Sequence, residues 1–585
     1  MKQKEQKKFS SLKRYFRYFK KYPWLVTGLW LSLLCTAVLS LLGPWYLGKM
    51  IASLTTYADY DLTIKYAIIF MILEFAGLVV YQLRVPCFKK LENNVKRDVK
   101  LEVLGSSFDI NIGQFEKLGN GVFITRLTSD LNSLSTSFNI ISETIVEFFS
   151  KIGFVVFVFV LNYWLAIFLV GFILIRYFIY QIRVHFYAKM KPTVFKKDEN
   201  INSLIGESIR GIKDIKTLGL SSKLLSKTRF LQEDYAKTDN KEWYVGTSLY
   251  AIANVVQILC NFFFILISVY LISNGQLEIA VFYTIYTYKS NVMSFALQLG
   301  NLQNYFKELN LKASRVFELA DENAYSHDKF GNVILPDFHG NIEFKNVCFS
   351  YDGNNAVLDN ISFSVAPNNH IAFVGESGCG KSTIVGLICK LYDPTQGVIL
   401  FDETNSLSLD KSFGKYITMV NQNPYMFNMT IRENMQLVEP GVTDEQIFEV
   451  LKLSNAYDFV SVLPNGLDSF LGEGGTRLSG GQKQRLCIAR ALLKKDSKVI
   501  IFDEATSALD NISQDVVINN LSKIKQDKVI ITIAHRLSTI ENCDKIYFVE
   551  HGKITAEGTH AELLKCNATY AELYKKQKKE SKEAE

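Results

Sequence analysis

The apolar run Ile371-Ala-Phe-Val374 leads directly into Gly375-Glu-Ser-Gly-Cys-Gly-Lys-Ser-Thr383. A short apolar run that stops at glycine reads as a buried strand, and the spacing after it is G-x-x-x-x-G-K-[ST]. Gly375, Gly378 and Gly380 let the backbone curl, so that N–H groups of Glu376, Ser377, Cys379 and their neighbours point at phosphate oxygens. The start of the following helix, at Lys381, Ser382 and Thr383, favours the same negative charge. Lys381 is long enough to reach the β- and γ-phosphates, and the Ser382 hydroxyl suits Mg²⁺. This strand–loop–helix decides the fold class of the C-terminal half.

Working outward, two more runs read as buried strands: Val499-Ile-Ile-Phe502 and Val529-Ile-Ile-Thr-Ile533. Short apolar runs alternating with helical patterns predict an α/β domain with a mostly parallel sheet, whose ligands sit at the strands' carboxyl ends. The first run ends in Asp503 and Glu504. Asp503 is placed to hold Mg²⁺, directly or through water, and Glu504 to polarise an attacking water. The second ends in Ala534-His535-Arg536, which sets His535 on the same sheet edge, where a γ-phosphate contact is expected. Leu478-Ser-Gly-Gly-Gln482 precedes a helical stretch from Lys483 to Lys495. Ser479, Gly480, Gly481 and Gln482 form a second helix start suited to an anion. A second anion site so far along the chain is odd for one nucleotide, unless it serves another chain.

The N-terminal half is different in kind. Overall, 48% of the 585 residues are hydrophobic, 21% are charged and 42 are Phe, with a mean hydropathy of +0.09 and a net charge of +7. That mixture excludes a disordered chain and predicts part membrane, part water-soluble protein. The first 22 residues carry nine Lys and Arg against Glu5 alone, and Trp24 to Leu42 is uncharged. Positive charge stays in the cytoplasm, so the chain is expected to start inside. A second apolar stretch, Tyr66 to Leu83, is followed by a basic segment from Arg84. Ile152 to Ile175 is one uncharged run, yet both its flanks are basic, so an even number of crossings must separate them. The run is therefore split at Asn162-Tyr163-Trp164. Six crossings result, at about 24–43, 63–84, 139–161, 164–186, 247–272 and 278–300. The long stretches between them, 84–138 and 187–245, keep helical apolar spacing and are read as helices extending into the cytoplasm. The predicted organisation is a basic cytoplasmic segment 1–22, a transmembrane domain 23–305, a linker 306–339, a nucleotide-binding domain 340–578 and a charged tail 579–585.

Ionisable residues inside a membrane are candidates for function. Here they are Glu74, Glu143, Glu147, Lys151, Arg176 and Lys289. Glu147 and Lys151 are spaced to pair on one helix face. Glu143 and Arg176 are expected near the water boundary, and Glu74 and Lys289 are mid-span. The nine Cys and seven His show no zinc or disulfide spacing, so no transition metal is expected. The basic N-terminus has no small-residue cleavage pattern, so no cleaved signal is expected.

Together these motifs resemble those of ABC transporters of the exporter type. The chain resembles a half-transporter, with one six-helix membrane domain followed by one nucleotide-binding domain. The resemblance makes 375–383 the Walker A loop, 499–504 Walker B, 478–482 the LSGGQ signature and Ser507-Ala-Leu-Asp510 the D-loop. It makes Gln422 the glutamine that touches Mg²⁺ and senses the membrane domain, Tyr351 the aromatic that stacks on adenine, and His535 the switch histidine. It implies ATP and Mg²⁺ as ligands, and a second half-transporter, the same chain or another, whose signature completes each ATP site. It also implies coupling helices near 110–120 and 211–219. One stretch departs from the family: Ser469-Phe-Leu-Gly-Glu-Gly-Gly475 has Phe470 and Gly474 where exporters often carry an acid and a base. No nucleic-acid partner is expected, because a soluble DNA-repair ATPase with these motifs would lack the spans. The expected function is ATP-driven export of a hydrophobic or amphipathic peptide, drug or lipid. An importer of metal chelators on the same architecture and an ATP-gated regulatory protein are the alternatives. The expected location is the plasma membrane of a bacterium, since the Lys-, Asn- and Ile-rich composition is that of an AT-rich genome.

Overall fold

The computed structural model describes residues 2–55, 58–351, 353, 355–504, 513–514, 516–517, 519–520, 527–533 and 540–583. The chain forms two units: Met1–Phe108 with Asn120–Ala324, and Asp109–Gly119 with Tyr325–Glu585.

The first unit is helical. In chain order its helices are α1 (Lys2–Phe19), α2 (Pro23–Thr55) and α3 (Tyr60–Ser107). The short helix α4 (Ile112–Leu118) belongs to the other unit. Then come α5 (Asn120–Thr125), α6 (Leu131–Leu161), α7 (Tyr163–Arg210), α8 (Ile212–Thr217), α9 (Ser221–Ser273) and α10 (Ile279–Glu318). Five of these stretches are long and apolar enough to cross a membrane: α2, α3, Gly121–Leu161, α7 and α9. The sixth long helix, α10, does not reach that apolarity.

Asn162 separates α6 from α7. Its backbone is extended, at φ −160° and ψ 111°, and its side chain accepts the Leu165 N–H at 3.1 Å. A side-chain oxygen at this position satisfies one of the donors that every helix start leaves open. Asn162→Ala should therefore lower the apparent Tm of the detergent-solubilised protein, by the equivalent of about 1 kcal/mol. An unchanged Tm would show that the cap contributes nothing.

One boundary changes. The segment read as linker from residue 306 begins inside α10, which runs on to Glu318 because Leu309, Ala313, Val316 and Phe317 continue a buried helical stripe. The basic N-terminal segment is a folded helix. Tyr15, Tyr18 and Phe19 on α1 are buried, Phe19 packs on Phe138 with ring centroids 4.0 Å apart, and Tyr18 stacks on Phe317. Arg14 pairs with Glu102 at 2.8 Å.

The second unit holds two sheets. An antiparallel sheet has the order β2-β1-β4-β5, from β1 (Ile342–Phe349), β2 (Leu358–Val365), β4 (Gln396–Phe401) and β5 (Thr404–Asn405). A six-stranded sheet has the order β10-β9-β3-β8-β7-β6. Its strands are β3 (His370–Val374), β6 (Ile417–Val420), β7 (Val499–Asp503), β8 (Val529–Ile533), β9 (Lys545–Glu550) and β10 (Lys553–Gly558). All neighbours are parallel except β9 and β10.

Period-two alternation explains why the central strands read as unbroken apolar runs: both faces are covered. Val499 and Ile501 of β7 join the core shared with the antiparallel sheet and helix α11 (Lys381–Ile388). Ile500 and Phe502 face a second core. That core is built by α12 (Ile431–Gln436), α13 (Asp444–Leu453), α14 (Tyr457–Ser461) and α15 (Gly480–Leu493). The chain ends in α16 (His560–Cys566) and α17 (Ala568–Glu583), so helix continues into the predicted charged tail.

Candidate nucleotide-binding site

Strand order creates the site. In the series β3-β8-β7-β6 the register pairs Phe373 with Ile533, Ile533 with Asp503, and Phe502 with Val420. The residues that follow these strands therefore meet along one sheet edge. They are the loop from Gly375, Glu504, and the stretch holding Gln422.

The phosphate loop is held from behind by backbone. A Cβ on Gly375 would lie 2.1 Å from the Val549 carbonyl oxygen of β9, so no side chain fits there. The Gly552 N–H, in the turn between β9 and β10, donates to the Cys379 carbonyl at 3.1 Å, and the Gly552 carbonyl accepts the Asp359 N–H at 2.9 Å. This brace was not anticipated from the sequence; the glycine in Glu550-His-Gly-Lys553 is its only local sign. Gly552 has φ +75°, and a Cβ there would sit 2.4 Å from the Val357 carbonyl oxygen. Gly552→Ala should shift the turn, at about 1–3 kcal/mol of strain, and weaken ATP binding several-fold by titration calorimetry. Wild-type affinity would show that the brace does not shape the loop.

Lys381 is buried, and its Nζ donates to the carbonyls of Gly375 at 2.8 Å and Glu376 at 2.7 Å. Ser382 is exposed at the helix start. Thr383 is buried, and its hydroxyl lies 3.0 Å from that of Tyr351, so of the two hydroxyls Ser382 is the one turned outward. Tyr351 stands edge-on to Phe349 and Tyr392, at 4.9 and 5.3 Å between centroids, and is half exposed.

Among the described residues, Gln422, Ile533 and Gln484 all hold Glu504. Gln422 Nε2 donates to Glu504 Oε2 at 2.6 Å, and the Glu504 N–H donates to the Ile533 carbonyl at 3.1 Å. Gln484, fully buried on α15, donates to the Glu504 carbonyl at 3.5 Å. The residue has φ +50°, uncommon for a side chain larger than glycine and typical of positions that the surroundings over-determine. The sequence offered no sign of Gln484's role, which depends on α15 passing behind β7. His535 and Ser507–Asp510 lie outside the described residues.

Ser479 caps α15. Its Oγ accepts the Gln482 N–H at 3.2 Å, and the Gln482 side chain accepts the Ser479 N–H at 3.0 Å. Both side chains thus shape the helix start, with Gly480 and Gly481 in its first turn. The helix packs into the second core, whereas α11 behind the phosphate loop packs into the first. The departing loop pairs with its own unit through a bridge from Phe470 to Thr430.

Three cysteines lie near the site, Cys379, Cys389 and Cys487, and Cys379 in the loop is itself buried. Desolvation acts on the other two. It pushes the Cys389 thiol up to about 12 and raises that of Cys487, so neither carries much thiolate at neutral pH. Cys379 Sγ lies 3.6 Å from Lys381 Nζ. Because Cys379 lies inside the phosphate loop, N-ethylmaleimide is expected to inhibit ATP hydrolysis through it, and Cys379→Ala should abolish that sensitivity. Persistent inhibition in the variant would place the reactive thiol elsewhere.

The glycine-lined backbone, Lys381, Ser382 and Asp503, at the end of a strand on the same sheet edge, fit a nucleotide phosphate chain with its metal. Comparison with known proteins supports the nucleotide. Residues 358–507 match the family described as ABC transporter, and residues 27–297 match the ABC transporter transmembrane region. A Rickettsia bellii protein with the provisional name export ATP-binding/permease protein is 31% identical over 489 residues, covering 82% of this chain and 84% of that one. The ATP-dependent lipid A-core flippase of Saccharophagus degradans is 34% identical over 399 residues, covering 67% of this chain and 66% of that protein. The structure of a bacterial Atm1-family ABC exporter with ATP bound superposes with a TM-score of 0.80 at 25% identity, over 94% of this chain and 98% of that one. A multi-pass transmembrane region and an ATP-binding domain are thus fused in one polypeptide, an ATPase coupled to transport, and the chain belongs to the ABC transporter family.

Proposed function

We propose that this chain is one half of an ATP-driven exporter for a hydrophobic or amphipathic substrate. Two halves pair, six helices of each cross the plasma membrane, and the nucleotide-binding units and both termini face the cytoplasm. The basic flanks of the apolar stretches support that orientation, and the relatives named for export support the direction.

The observation that carries the reading is the hydrogen bond between Gln422 and Glu504 beside the phosphate loop. It joins the residue placed to polarise water to one on the neighbouring strand's exit, so a shift of the Gln422 stretch moves the base. Ser382, Asp503 and Gln422 are the residues that would hold Mg²⁺, which when bound neutralises phosphate charge. Lys381 binds the phosphates, Tyr351 offers an open ring to the base, and Glu504 takes the proton of the attacking water. Ser479, Gly480 and Gly481 of the other half close over the same phosphates, which accounts for a second anion-binding helix start packed in a different core.

Coupling has a path within the nucleotide unit. The segment carrying α4 is anchored there by Asn111, whose N–H donates to the Ser326 carbonyl at 2.9 Å, and by an ion pair between Asp109 and Lys411. The chain leaves the membrane unit after Phe108 and re-enters it at Asn120, so displacement of α4 pulls on α3 and α5. On α8, Ile212 is half exposed, and Leu218 just beyond it is mostly exposed, which suits a second coupling helix that docks on the partner half.

The test is ATP hydrolysis by the purified chain in lipid nanodiscs, with peptides, lipophilic drugs, lipids and metal chelates added in turn. Hydrolysis stimulated by peptides, drugs or lipids is the expected result. Stimulation by metal chelates alone would favour the importer. A folded, ATP-binding chain that hydrolyses nothing would overturn the homodimer and leave a different partner half.

A further inference from the structure

Two cations lie buried in the apolar core of the membrane unit, and among the described residues neither has a carboxylate partner. Arg176 on α7 is 8% exposed and Lys289 on α10 is 6% exposed. Arg176, expected near the water boundary, is instead enclosed. Its Nη1 donates to Gln257 Oε1, while its buried Nε has no hydrogen-bond partner. Gln257 Nε2 and Cys260 Sγ of α9 both reach the Met293 sulfur of α10, at 3.1 and 3.5 Å. Lys289 stands one helical turn from Met293. Its Nζ lies 4.1 Å from the Tyr286 ring centroid and 5.0 Å from that of Phe264, itself one turn from Cys260. Contacts among α7, α9 and α10 thus gather both cations into one cluster.

The cluster sits at membrane depth. Lys289 is ten residues into α10 and Arg176 thirteen into α7. At about 1.5 Å per residue these are depths of about 15 and 20 Å from the helix starts, near the middle of a hydrocarbon core of about 30 Å. The other ionisable residues singled out from the sequence have partners or lie exposed: Glu147 and Lys151 lie 3.8 Å apart and share Gln298, and Arg84 meets Glu143 at 3.5 Å. Glu74 is exposed on α3, away from the buried set.

A cation enclosed in hydrocarbon without an anion is unfavourable, and aromatic faces and one amide oxygen offset this only in part. An oxyanion would meet the unpartnered Arg176 Nε–H and the Lys289 ammonium together. We propose that Arg176 and Lys289 bind the oxyanion head group, phosphate or carboxylate, of an amphipathic substrate, with the Tyr286 ring at the open side of the site. Tyr286 is 44% exposed while Lys289 beneath it is not, so its ring is the group a head group must displace. This proposal rests on the export reading, because the occupant is the transported molecule.

The test uses the full-length chain in phosphatidylcholine nanodiscs with three probes of equal chain length: hexadecyl phosphate, palmitate and hexadecanol. Binding is read from probe-dependent thermal shifts, and ATPase stimulation is read separately. Wild type should bind one or both anionic probes about tenfold or more tighter than hexadecanol. Preference for hexadecyl phosphate over palmitate would make the head group a phosphate, and the reverse a carboxylate. Lys289→Gln and Arg176→Gln should each lose the preference, while Lys289→Arg and Arg176→Lys keep most of it. The proposal is overturned if wild type shows no anionic preference, a result that needs no variant to fold. It is equally overturned if the glutamine variants keep the preference, or lose hexadecanol binding to the same degree. Anion binding without stimulation or transport of any probe would sink the export reading instead.

Discussion

Glu504→Gln is expected to reduce steady-state ATP hydrolysis by about a hundredfold or more, the usual loss when a positioned base is removed, while ATP binding stays near wild type. The amide is isosteric and can still accept the Gln422 N–H that now reaches Oε2 at 2.6 Å. The backbone bond from Glu504 to Ile533 is untouched, so the left-handed turn after β7 should persist. What disappears is a carboxylate able to take a proton from water. Phosphate release in nanodiscs, alongside binding of a fluorescent ATP analogue, separates the two effects. Hydrolysis within tenfold of wild type would remove Glu504 from the role of base.

Lys381→Ala is expected to act one step earlier, on binding. The ammonium serves the phosphates and also satisfies the Gly375 and Glu376 carbonyls at 2.8 and 2.7 Å. Removing it deletes charge-assisted hydrogen bonds worth roughly 1.5–3 kcal/mol each and leaves polar groups of the loop without a donor. ATP affinity should fall on the order of a hundredfold, and hydrolysis at sub-saturating ATP with it. Calorimetric titration is the direct measurement. Near-normal affinity would mean that the backbone N–H groups alone hold the phosphates.

These variants test different links. Glu504 lies at the end of a strand and acts on water, whereas Lys381 lies at the start of a helix and acts on charge already present in the ground state. Loss of hydrolysis with binding intact in the first, and loss of binding in the second, would locate the chemistry at the sheet edge where β3, β8 and β7 end.

Much of this could be read along the chain because the physics is local. Glycines spaced around Lys381, an apolar run ending in Asp503 and Glu504, and Asn162 between two apolar runs each depend on neighbours a few residues away. A loop curls, a strand is buried on both faces or a helix stops for reasons carried by those residues themselves. Tertiary structure alone decided which of these features touch. The bond between Gln422 and Glu504 exists because β6 was laid beside β7, across 82 residues of chain. The Gly552 brace exists because β9 was laid beside β3. Likewise Lys289 and Arg176 are only two mid-span cations in the sequence; packing of α7, α9 and α10 buries both around Gln257 and Met293. Local patterns specify elements because backbone hydrogen bonding and side-chain periodicity are short-range. Partners distant in sequence are chosen by burial and register, which no single segment contains.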